Sequence, residues 1–307
     1  MITCFTLNLS IDRRYVVENA RMGAANRVME CTATPGGKGL NVTHTVQELG
    51  EDVVAAGIAG GDHGNFIEHA LDREGIHHHF TRVAGESRCC INIFDAATGT
   101  QTEYLEPGLQ VTQDGYNAFL KDFDELSAKS DVITMSGSLP RGLPVDTYAT
   151  LIQRVPSKRI FLDASGVALV NALPAHPFYI KPNESELAAV VGHPLQSNTE
   201  MKEVAQKLHD DGIACVAFTL GARGAMLCCG DGFFMATPPS IKTVNTVGCG
   251  DSFTGAFAVA VKRGFTPPEA LRFAVGVSAA CAMSSGTGEL HIENVNDILP
   301  KVSLKSI

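Results

Sequence analysis

The sequence predicts an α/β protein with a doubly wound, mostly parallel sheet, helices on both faces of that sheet, and a small additional β-sheet. Short apolar runs alternate with amphipathic helical segments along most of the 307 residues, which is typical of parallel α/β sheets. Two early stretches instead follow a period of two, which indicates the additional sheet. Apolar residues make up 45% and charged residues 19% of the chain, which fits a globular protein and excludes a disordered one.

Four helices are predicted from the residues at their ends. Gly50 and Gly75 each follow a segment with helical apolar spacing, a position where glycine ends a helix. Thr266 and Glu269 have the spacing of a capping box that opens a helix. The four helical segments cover 39–49, 65–74, 201–211 and 266–277.

Five short apolar runs are predicted to be strands of the main sheet. They lack polar alternation, which is typical of parallel strands that helices cover on both faces. These runs lie at 53–58, 132–135, 159–162, 178–180 and 216–220.

Residues 9–34 and 86–106 alternate apolar and polar side chains. A period of two with one polar face predicts antiparallel strands that are exposed on one side. We therefore expect these two stretches to form a small sheet that stands off the main domain. No repeat or Pro/Ser-rich linker divides the chain, so we expect a single domain over residues 1–307 with the small sheet inserted in it.

The net charge is −9, and the basic residues form no extended block. General binding to nucleic acid or to an anionic membrane is therefore not expected. The nine cysteines include no C-x-x-C motif, which favours reduced thiols over a disulfide framework. The sequence has neither a signal peptide nor an apolar run long enough to span a membrane, so we expect a cytoplasmic protein.

A first glycine-rich turn, P-G-G-K-G at 35–39, leads directly into the helix at 39–49. Glycine lets the backbone approach a ligand closely, and a helix N-terminus offers unpaired N–H groups. Lys38 and Asn41 are within reach of the same ligand. A plain tight turn explains the glycines equally well, so this pattern alone leaves both interpretations open.

A second glycine-rich turn, N-T-V-G-C-G-D at 245–251, precedes an apolar helix rich in small residues. The N–H groups of 248–250 suit an anion. Asp251 alone could be an ordinary helix cap, but beside an anion site it places a proton acceptor next to a bound phosphate. Neither turn fits G-x-x-x-x-G-K-[ST], and Phe253 replaces the third glycine of G-x-G-x-x-G, so a P-loop NTPase and a Rossmann dehydrogenase are disfavoured.

Six ordered motifs resemble those of the ribokinase/PfkB family of carbohydrate kinases, and within it the phosphohexose kinases. They are T-L-N-x-x-I-D at 6–12, G-G-K-G-x-N-V at 36–42, S-G-S-L-P at 136–140, K-P-N-x-x-E at 181–186, L-G-x-x-G at 220–224 and N-T-V-G-C-G-D at 245–251. The resemblance covers essentially the whole chain and implies a ribokinase-like fold with a β-sheet lid. The family usually has Ala or Ser where Cys249 stands, and we expect this change to be tolerated because only the backbone N–H is needed there.

The resemblance implies that Asp251 is the catalytic base that takes the proton from the acceptor hydroxyl. The backbone N–H groups of Gly248, Cys249 and Gly250 would hold the charge of the transferring phosphoryl group. The positive end of the helix dipole is expected to keep Asp251 ionised, as a base must be.

On the acceptor side, the resemblance assigns Asp12 to a sugar hydroxyl and Arg88 to the phosphate that the substrate already carries. A planar guanidinium suits a dianion, and an exposed strand charge is the alternative for Arg88. Four further residues would line the sugar site: Gly37, Lys38, Asn41 and Ser138. The small sheet would act as a lid that excludes water. In many relatives two lids pair, so a homodimer is expected.

The resemblance also implies sites for ATP and Mg²⁺. Asn183 and Glu186 match a motif that organises Mg²⁺ largely through water. The nucleotide site would consist of Lys181, Asn183, Thr219, Gly221, Gly224, Ser278 and Ala279. Some relatives bind a monovalent cation such as K⁺ near the second turn through backbone carbonyls, and the sequence leaves this open.

The acceptor is expected to be a ketohexose monophosphate, which the reaction converts to the bisphosphate. Residues 101–106 resemble the lid segment of tagatose-6-phosphate kinases. The 1-phosphofructokinases carry a lysine shortly after the position of Arg88 and an Asn-Gly pair later, and both are absent here. These features favour tagatose 6-phosphate as the acceptor. Fructose 1-phosphate, the substrate of a 1-phosphofructokinase, is the alternative, and fructose 6-phosphate, the substrate of a 6-phosphofructokinase, is less favoured. A sensor that binds the sugar phosphate without catalysis is the non-enzymatic alternative, but it has no need of an intact turn at 248–251.

Overall fold

The computed structural model describes residues 1–195 and 197–307. These residues contain fourteen β-strands in two sheets and ten α-helices. The strands, β1 to β14, are Ile2–Thr6, Ser10–Val17, Val28–Gly36, Val53–Ala59, His77–Arg82, Arg88–Asp95, Thr100–Leu105, Val132–Ser136, Arg159–Asp163, Tyr179–Ile180, Cys215–Thr219, Ala225–Cys229, Gly232–Thr237 and Ser303–Ser306. The helices, α1 to α10, are Lys38–Glu48, Gly61–Glu74, Gln113–Lys129, Thr147–Arg154, Gly166–Ala172, Glu184–Val191, Asn198–Asp210, Cys249–Lys262, Pro267–Cys281 and Ile292–Ile298.

The larger sheet has ten strands in the order β14-β13-β12-β11-β10-β9-β8-β1-β4-β5. From β5 to β11 every neighbouring pair is parallel, and the pairs from β11 to β14 are antiparallel. The prediction of an α/β fold with a mostly parallel sheet is confirmed. Strands β1 and β8 are buried along their whole length, which explains why their sequences lack polar alternation.

The helices begin and end largely where their caps predict. Thr266 opens α9, and its N–H and Oγ1 donate to Glu269 Oε2 at 2.9 and 2.7 Å. Helix α2 begins at Gly61, earlier than predicted. The carboxylate of Glu86 accepts the N–H of His63 in this first turn, so a residue distant in sequence caps the helix and the local pattern could not reveal it. None of the helices in residues 1–195 and 197–307 combines the length and the apolar composition of a membrane span.

The smaller sheet has the order β3-β2-β6-β7 and is built from the two predicted stretches. Its pairs β2–β3 and β6–β7 are antiparallel, as expected. The central pair β2–β6 is parallel, so the prediction of an antiparallel small sheet is wrong for this pair. The chain leaves the small sheet after β3 and passes through β4 and β5 of the larger sheet before it enters β6. Such a crossover makes two strands parallel, and period-two spacing does not distinguish it from a hairpin.

Helix α8 lies in the interior and positions the second glycine-rich turn. Every residue from 251 to 261 is buried, and a Cβ on Gly255 would lie 3.0 Å from Thr45 Cβ of α1. Small side chains therefore let α8 pack closely against α1. Thr254 in the first turns of α8 donates to Asp163, so the N-terminus of α8 lies at the C-terminal end of β9.

Candidate active site

The two glycine-rich turns meet at the side chains of Asn41 and Asp251. Asn41 lies near the start of α1 and Asp251 in the first turn of α8, and Asn41 Nδ2 donates to Asp251 Oδ2 at 2.7 Å. Both residues are largely buried, with 8% and 7% of their surface exposed. The hydrogen bond orients the carboxylate through one oxygen and leaves the other available to accept a proton.

The turn that precedes α8 leaves backbone N–H groups without internal partners. Gly248 has φ 86°, and a Cβ there would lie 2.5 Å from a backbone nitrogen of the loop after α9, so only glycine fits. The N–H groups of Gly250 and Asp251 donate to no group in the described part of the chain, as expected for a first helical turn. The N–H of Cys249, in contrast, donates to Thr246 O at 3.3 Å. Of the three amides predicted to bind phosphate, the Cys249 amide is therefore already partnered.

A buried carboxylate that the sequence patterns did not single out organises the charges of the site. Asp163 ends β9, and 1% of its surface is exposed. Lys38 Nζ lies 3.1 Å and Lys181 Nζ 3.3 Å from its oxygens, and Thr254 Oγ1 donates to it at 3.1 Å. The signal that could have revealed Asp163 is its position at the end of a buried apolar strand, since a buried charge requires a partner.

Lys38 and Lys181 extend from this cluster toward the second turn. A Cβ on Gly250 would lie 3.3 Å from Lys181 Nζ, so this ammonium group faces the first turn of α8. The charge of Asp163, with a smaller contribution from Asp251, raises the pKa of Lys38. Lys38 was predicted to line the sugar site, and the structure pairs it with the carboxylate that also holds Lys181. Two cations beside open N–H groups suit a polyphosphate.

The pKa values of the two site aspartates are displaced in opposite directions. Burial alone would raise the pKa of Asp163, but Lys181 and Lys38 outweigh it, and the net pKa lies below its ordinary value. Burial and the negative charge of Asp163 raise the pKa of Asp251 to about 6. The prediction that the helix dipole keeps Asp251 firmly ionised is thus corrected, because burial beside Asp163 dominates. Asp251 is still mostly ionised at neutral pH, with the proton affinity of an effective general base.

Asp12 lies on β2 of the small sheet, beside the first glycine-rich turn. Ser10 Oγ donates to Asp12 Oδ1 at 2.7 Å, and a Cβ on Gly36 would lie 2.1 Å from Asp12 Cγ. Glycine at position 36 therefore leaves the space that the carboxylate occupies. Burial, opposed by Ser10 and Arg88 and by the N–H of Gly37, raises the pKa of Asp12. The predicted sugar ligands Asp12 and Gly37 are thus neighbours.

Arg88 and Ser138 are joined through Asn8. Arg88 Nε donates to Asn8 O at 3.2 Å, and Asn8 Nδ2 donates to Ser138 Oγ at 3.1 Å. Arg88 is also paired with Ser10 in the register of β2 and β6, two residues before Asp12. Sequence reasoning did not select Asn8, although it follows β1 at the C-terminal end of a central parallel strand, where α/β proteins bind ligands.

Asn183 and Glu186 form a capping box at the start of α6. Asn183 Oδ1 accepts the N–H of Glu186 at 2.8 Å, and Glu186 Oε2 accepts the N–H of Asn183 at 2.9 Å. The N-x-x-E motif therefore has a structural role, because it caps the N-terminus of α6. The charge of Glu186 also contributes to the raised pKa of Lys38, so the carboxylate lies near the Asp163 cluster. In the described residues no three His, Cys, Asp or Glu side chains converge as metal ligands.

The predicted nucleotide residues fall into two groups, Thr219, Gly221 and Gly224 on the loop after β11, and Ser278 and Ala279 on α9. Gly224 has φ 93°, and a Cβ there would lie 2.0 Å from a backbone oxygen of β13, so the loop requires glycine. Helix α9 packs against β12 and β13, which makes it a neighbour of this loop. Ser278 Oγ donates to Cys249 O at 2.9 Å, so α9 also supports the second glycine-rich turn.

Comparison with known proteins identifies the family of the chain and structures with a similar fold. Residues 2–294 match the pfkB family of carbohydrate kinases. The phosphofructokinase-2 of Escherichia coli, solved in complex with potassium, is 26% identical over 98% of each chain, with a TM-score of 0.90. A possible 1-phosphofructokinase from Thermotoga maritima is 23% identical over 100% of this chain and 99% of its own, with a TM-score of 0.91. The ribokinase of that organism is 24% identical over 97% and 98%, with a TM-score of 0.80. The two Thermotoga structures support the fold alone.

The fold is an α/β architecture with a mostly parallel sheet, similar to that of ribokinase. The chain belongs to the pfkB family of carbohydrate kinases and is a sugar kinase. Membership of this family implies ATP and Mg²⁺ as its cofactors. The family resemblance seen in the six motifs is confirmed, and the P-loop and Rossmann alternatives are excluded.

Proposed function

We propose that this kinase transfers the γ-phosphoryl group of ATP to a free hydroxyl of a ketohexose monophosphate and so forms the bisphosphate. The observation that carries the proposal is the 2.7 Å hydrogen bond between Asn41 and Asp251, next to the ammonium groups of Lys38 and Lys181. An oriented carboxylate with a raised pKa, open N–H groups and two cations together meet the needs of phosphoryl transfer to an alcohol.

In the proposed reaction Asp251 accepts the proton of the attacking hydroxyl. The hydroxyl oxygen forms a bond to the γ-phosphorus while the bond from that phosphorus to the β–γ bridging oxygen breaks, and ADP leaves with the electron pair. The N–H groups of Gly248 and Gly250 and the ammonium group of Lys181 stabilise the charge on the transferring group. Positioning and charge neutralisation supply most of the catalysis, because this transfer needs little covalent chemistry from the protein.

The acceptor is proposed to bind between the small sheet and α1. Asp12 accepts a hydrogen bond from a sugar hydroxyl, with Gly37 and Asn41 beside the ring. Arg88 and Ser138 bind the phosphate that the sugar already carries, and their link through Asn8 supports a shared role. Arg88 Nε and Nη1 donate to the carbonyl oxygens of Asn8 and Glu106 at 3.2 and 3.5 Å, so Nη2 is the nitrogen that remains available to the phosphate.

The cofactors are proposed to lie on the other side of the second turn. Asn183 and Glu186 would hold Mg²⁺ through water, and the ion would neutralise negative charge on the phosphates of ATP. Lys181 contacts the phosphates from the Asp163 cluster. The nucleotide would lie along the loop that contains Thr219, Gly221 and Gly224 and along Ser278 and Ala279 of α9.

Tagatose 6-phosphate is the acceptor that the sequence of the lid favours, and fructose 1-phosphate is the main alternative. The test is kcat/KM measured in parallel on tagatose 6-phosphate, fructose 1-phosphate and fructose 6-phosphate with ATP and Mg²⁺. We expect tagatose 6-phosphate to exceed the others by about tenfold or more. A preference for fructose 1-phosphate or fructose 6-phosphate would replace the favoured sugar without affecting the kinase proposal. Binding of a sugar phosphate without turnover of any of the three would instead support the sensor.

The small sheet is proposed to close over the sugar as a lid and to pair with a second copy of the chain. Strands β3 and β7 carry large apolar side chains that are exposed, including Met29 at 55% and Leu105 at 64%. We expect a dimer by light scattering, and Leu105→Glu should shift it to a monomer because the substitution places a charge in an apolar contact. Val167→Glu on α5 is the matched control, since Val167 is also 64% exposed. A wild-type monomer would contradict the pairing.

A further inference from the structure

The side chain of Asn245 links the second glycine-rich turn to the loop that follows α9. Asn245 Nδ2 donates to the carbonyl oxygens of Ser285 and Gly286 at 3.1 and 3.3 Å, and Asn245 Oδ1 accepts the N–H of Val247 at 3.0 Å. Asn245 is 9% exposed. One amide therefore satisfies two backbone acceptors and one backbone donor at the position where the turn meets the loop.

The orientation of this amide is determined by its partners. Two of them are carbonyl oxygens, which accept only, and the third is an N–H, which donates only. A rotation that exchanged Oδ1 and Nδ2 would bring Oδ1 against both carbonyls and lose all three hydrogen bonds. The NH₂ group of Asn245 must therefore face the Ser285 and Gly286 carbonyls.

Three further backbone carbonyls at this junction, those of Thr246, Val247 and Cys249, also have donors within the chain. Gly288 N–H donates to Val247 O at 3.1 Å, and Cys249 N–H donates to Thr246 O at 3.3 Å. Ser278 Oγ donates to Cys249 O at 2.9 Å. Buried carbonyl groups require such partners, and here the chain itself supplies them.

Glu289, the acidic residue of the loop at 284–289, is engaged as well. Glu289 Oε2 accepts the N–H of Gly286 at 2.8 Å, so the carboxylate closes its own loop. K⁺ is bound in proteins by several oxygen atoms that replace its hydration shell. Here the NH₂ group of Asn245, and not an oxygen ligand, faces the carbonyls of Ser285 and Gly286. The Asn245 side chain is also neutral, whereas a carboxylate at this position would attract a cation. The donor set does not fit a monovalent cation.

We propose that the Asn245 amide takes the place of a monovalent cation, holding the second glycine-rich turn against the loop at 284–289, and that the enzyme needs no K⁺. This inference deepens the proposed function, since the turn at 245–251 carries the proposed anion site and base. The amide makes the link permanent, whereas a bound ion would make it depend on the salt in the medium.

The first test compares wild-type protein in potassium chloride, sodium chloride and tetramethylammonium chloride at equal ionic strength. Initial rates with ATP, Mg²⁺ and the best ketose phosphate should agree within about twofold. The melting temperature of the protein without substrates should also be equal in the three salts, because no cation binds the native state selectively. Activation by K⁺ of about fivefold or more, or a melting temperature that rises with K⁺ alone, would overturn the proposal.

The second test introduces the missing ligand. Asn245→Asp removes both N–H donors and places a carboxylate oxygen beside the Ser285 and Gly286 carbonyls. We expect its rate in tetramethylammonium to fall by about tenfold or more and to recover with K⁺, and its melting temperature to rise with K⁺ concentration. Asn117→Asp on α3 is the matched control, because Asn117 is exposed and its oxygen accepts from Gln113.

The two readouts separate failure of this inference from failure of the proposed function. The melting temperatures need no substrate, so they test the cation inference even if no ketose phosphate is turned over. If Asn245→Asp folds and responds to K⁺ no differently from wild type, the proposed replacement is wrong. If this variant does not fold in any salt, the comparison of wild-type protein in the three salts still decides the matter.

Discussion

Burial and the charge of Asp163 raise the pKa of Asp251, although the two aspartates are far apart in sequence and belong to β9 and α8. Both carboxylates are buried, and Lys38 and Lys181 partly offset the repulsion between them. Asp163 stays ionised because its carboxylate contacts the ammonium groups of Lys38 and Lys181 directly. Asp251, which accepts a hydrogen bond from Asn41, is left with a pKa of about 6. Environment thus gives two identical side chains different proton affinities.

Replacement of Asp251 by asparagine tests its role as base. Asp251→Asn should lower kcat by roughly 10²–10⁴-fold with little change in the KM of either substrate, because only proton transfer is lost. Steady-state kinetics with both substrates varied will measure this. If turnover survives while substrate affinity collapses, Asp251 is a binding residue and the proposed mechanism is wrong.

The same variant should be more stable than wild type at neutral pH. Folding raises the pKa of Asp251 from 3.8 to about 6, so the ionised form destabilises the folded state once the pH exceeds these values. Asp251→Asn should therefore raise the free energy of unfolding at pH 7 by about 1–3 kcal/mol. The difference should shrink as the pH falls from 6 to 4, where wild-type Asp251 is protonated. Urea unfolding at several pH values is the measurement, and equal stability at pH 7 would contradict the raised pKa.

The pH dependence of kcat/KM should show an acid limb near pH 6, because Asp251 must be ionised to accept a proton. The second ionisation of a sugar phosphate falls near the same pH, so a variant is needed to assign the limb. Asp163→Asn removes the negative charge that raises the pKa of Asp251 and should move the limb about one unit lower. The exposed Asp231→Asn is the control and should leave it unchanged. A limb that stays at pH 6 in Asp163→Asn would assign it to another group.

Arg88 is expected to recognise the phosphate of the acceptor. Arg88→Gln should raise the KM for the sugar phosphate by about 100-fold while the KM for ATP changes little, because charge-assisted hydrogen bonds to a dianion are lost. The exposed Arg27→Gln, also in the small sheet region, is the control. If Arg88→Gln loses as much activity on an unphosphorylated ketose as on the sugar phosphate, Arg88 does not act through the phosphate.

Gly248 should tolerate no side chain. Gly248→Ala would place a Cβ 2.5 Å from the backbone nitrogen of Gly288 at φ 86°, so we expect a loss of about 2 kcal/mol in stability and a larger loss in kcat. Gly230→Ala is the matched control, since a Cβ there meets nothing within 4 Å. Thermal unfolding and kinetics of both variants will check this. Equal stability of the two variants would show that the turn can relax.

Features that depend on neighbours in sequence could be predicted from the sequence. The capping box of Thr266 and Glu269 forms as predicted because both partners lie in one helical turn. The glycines of the second turn and the small residues of α8 likewise indicate a helix that starts deep in the molecule. These patterns are local, so elementary backbone geometry is enough to interpret them.

Features that depend on residues distant in sequence could not be predicted. Asn8 and Asp163 lie at the ends of two strands of the larger sheet, and nothing near them in sequence indicates that they meet Ser138 or Lys181. The direction of β6 relative to β2 depends on the path of the intervening chain through the larger sheet. Local spacing carries no information about that path.

The sequence by itself determined the strand–helix alternation, the two glycine-rich turns and the motifs of a carbohydrate kinase, because each of these is written within a few consecutive residues. Tertiary structure alone decided that Asn41 orients Asp251 and that Asn245 donates to the carbonyl oxygens of Ser285 and Gly286. It also decided that burial, together with the charge of Asp163, raises the pKa of Asp251. Electrostatic interactions and hydrogen bonds act over a few ångströms, and only the folded chain brings groups separated by tens or hundreds of residues to that distance.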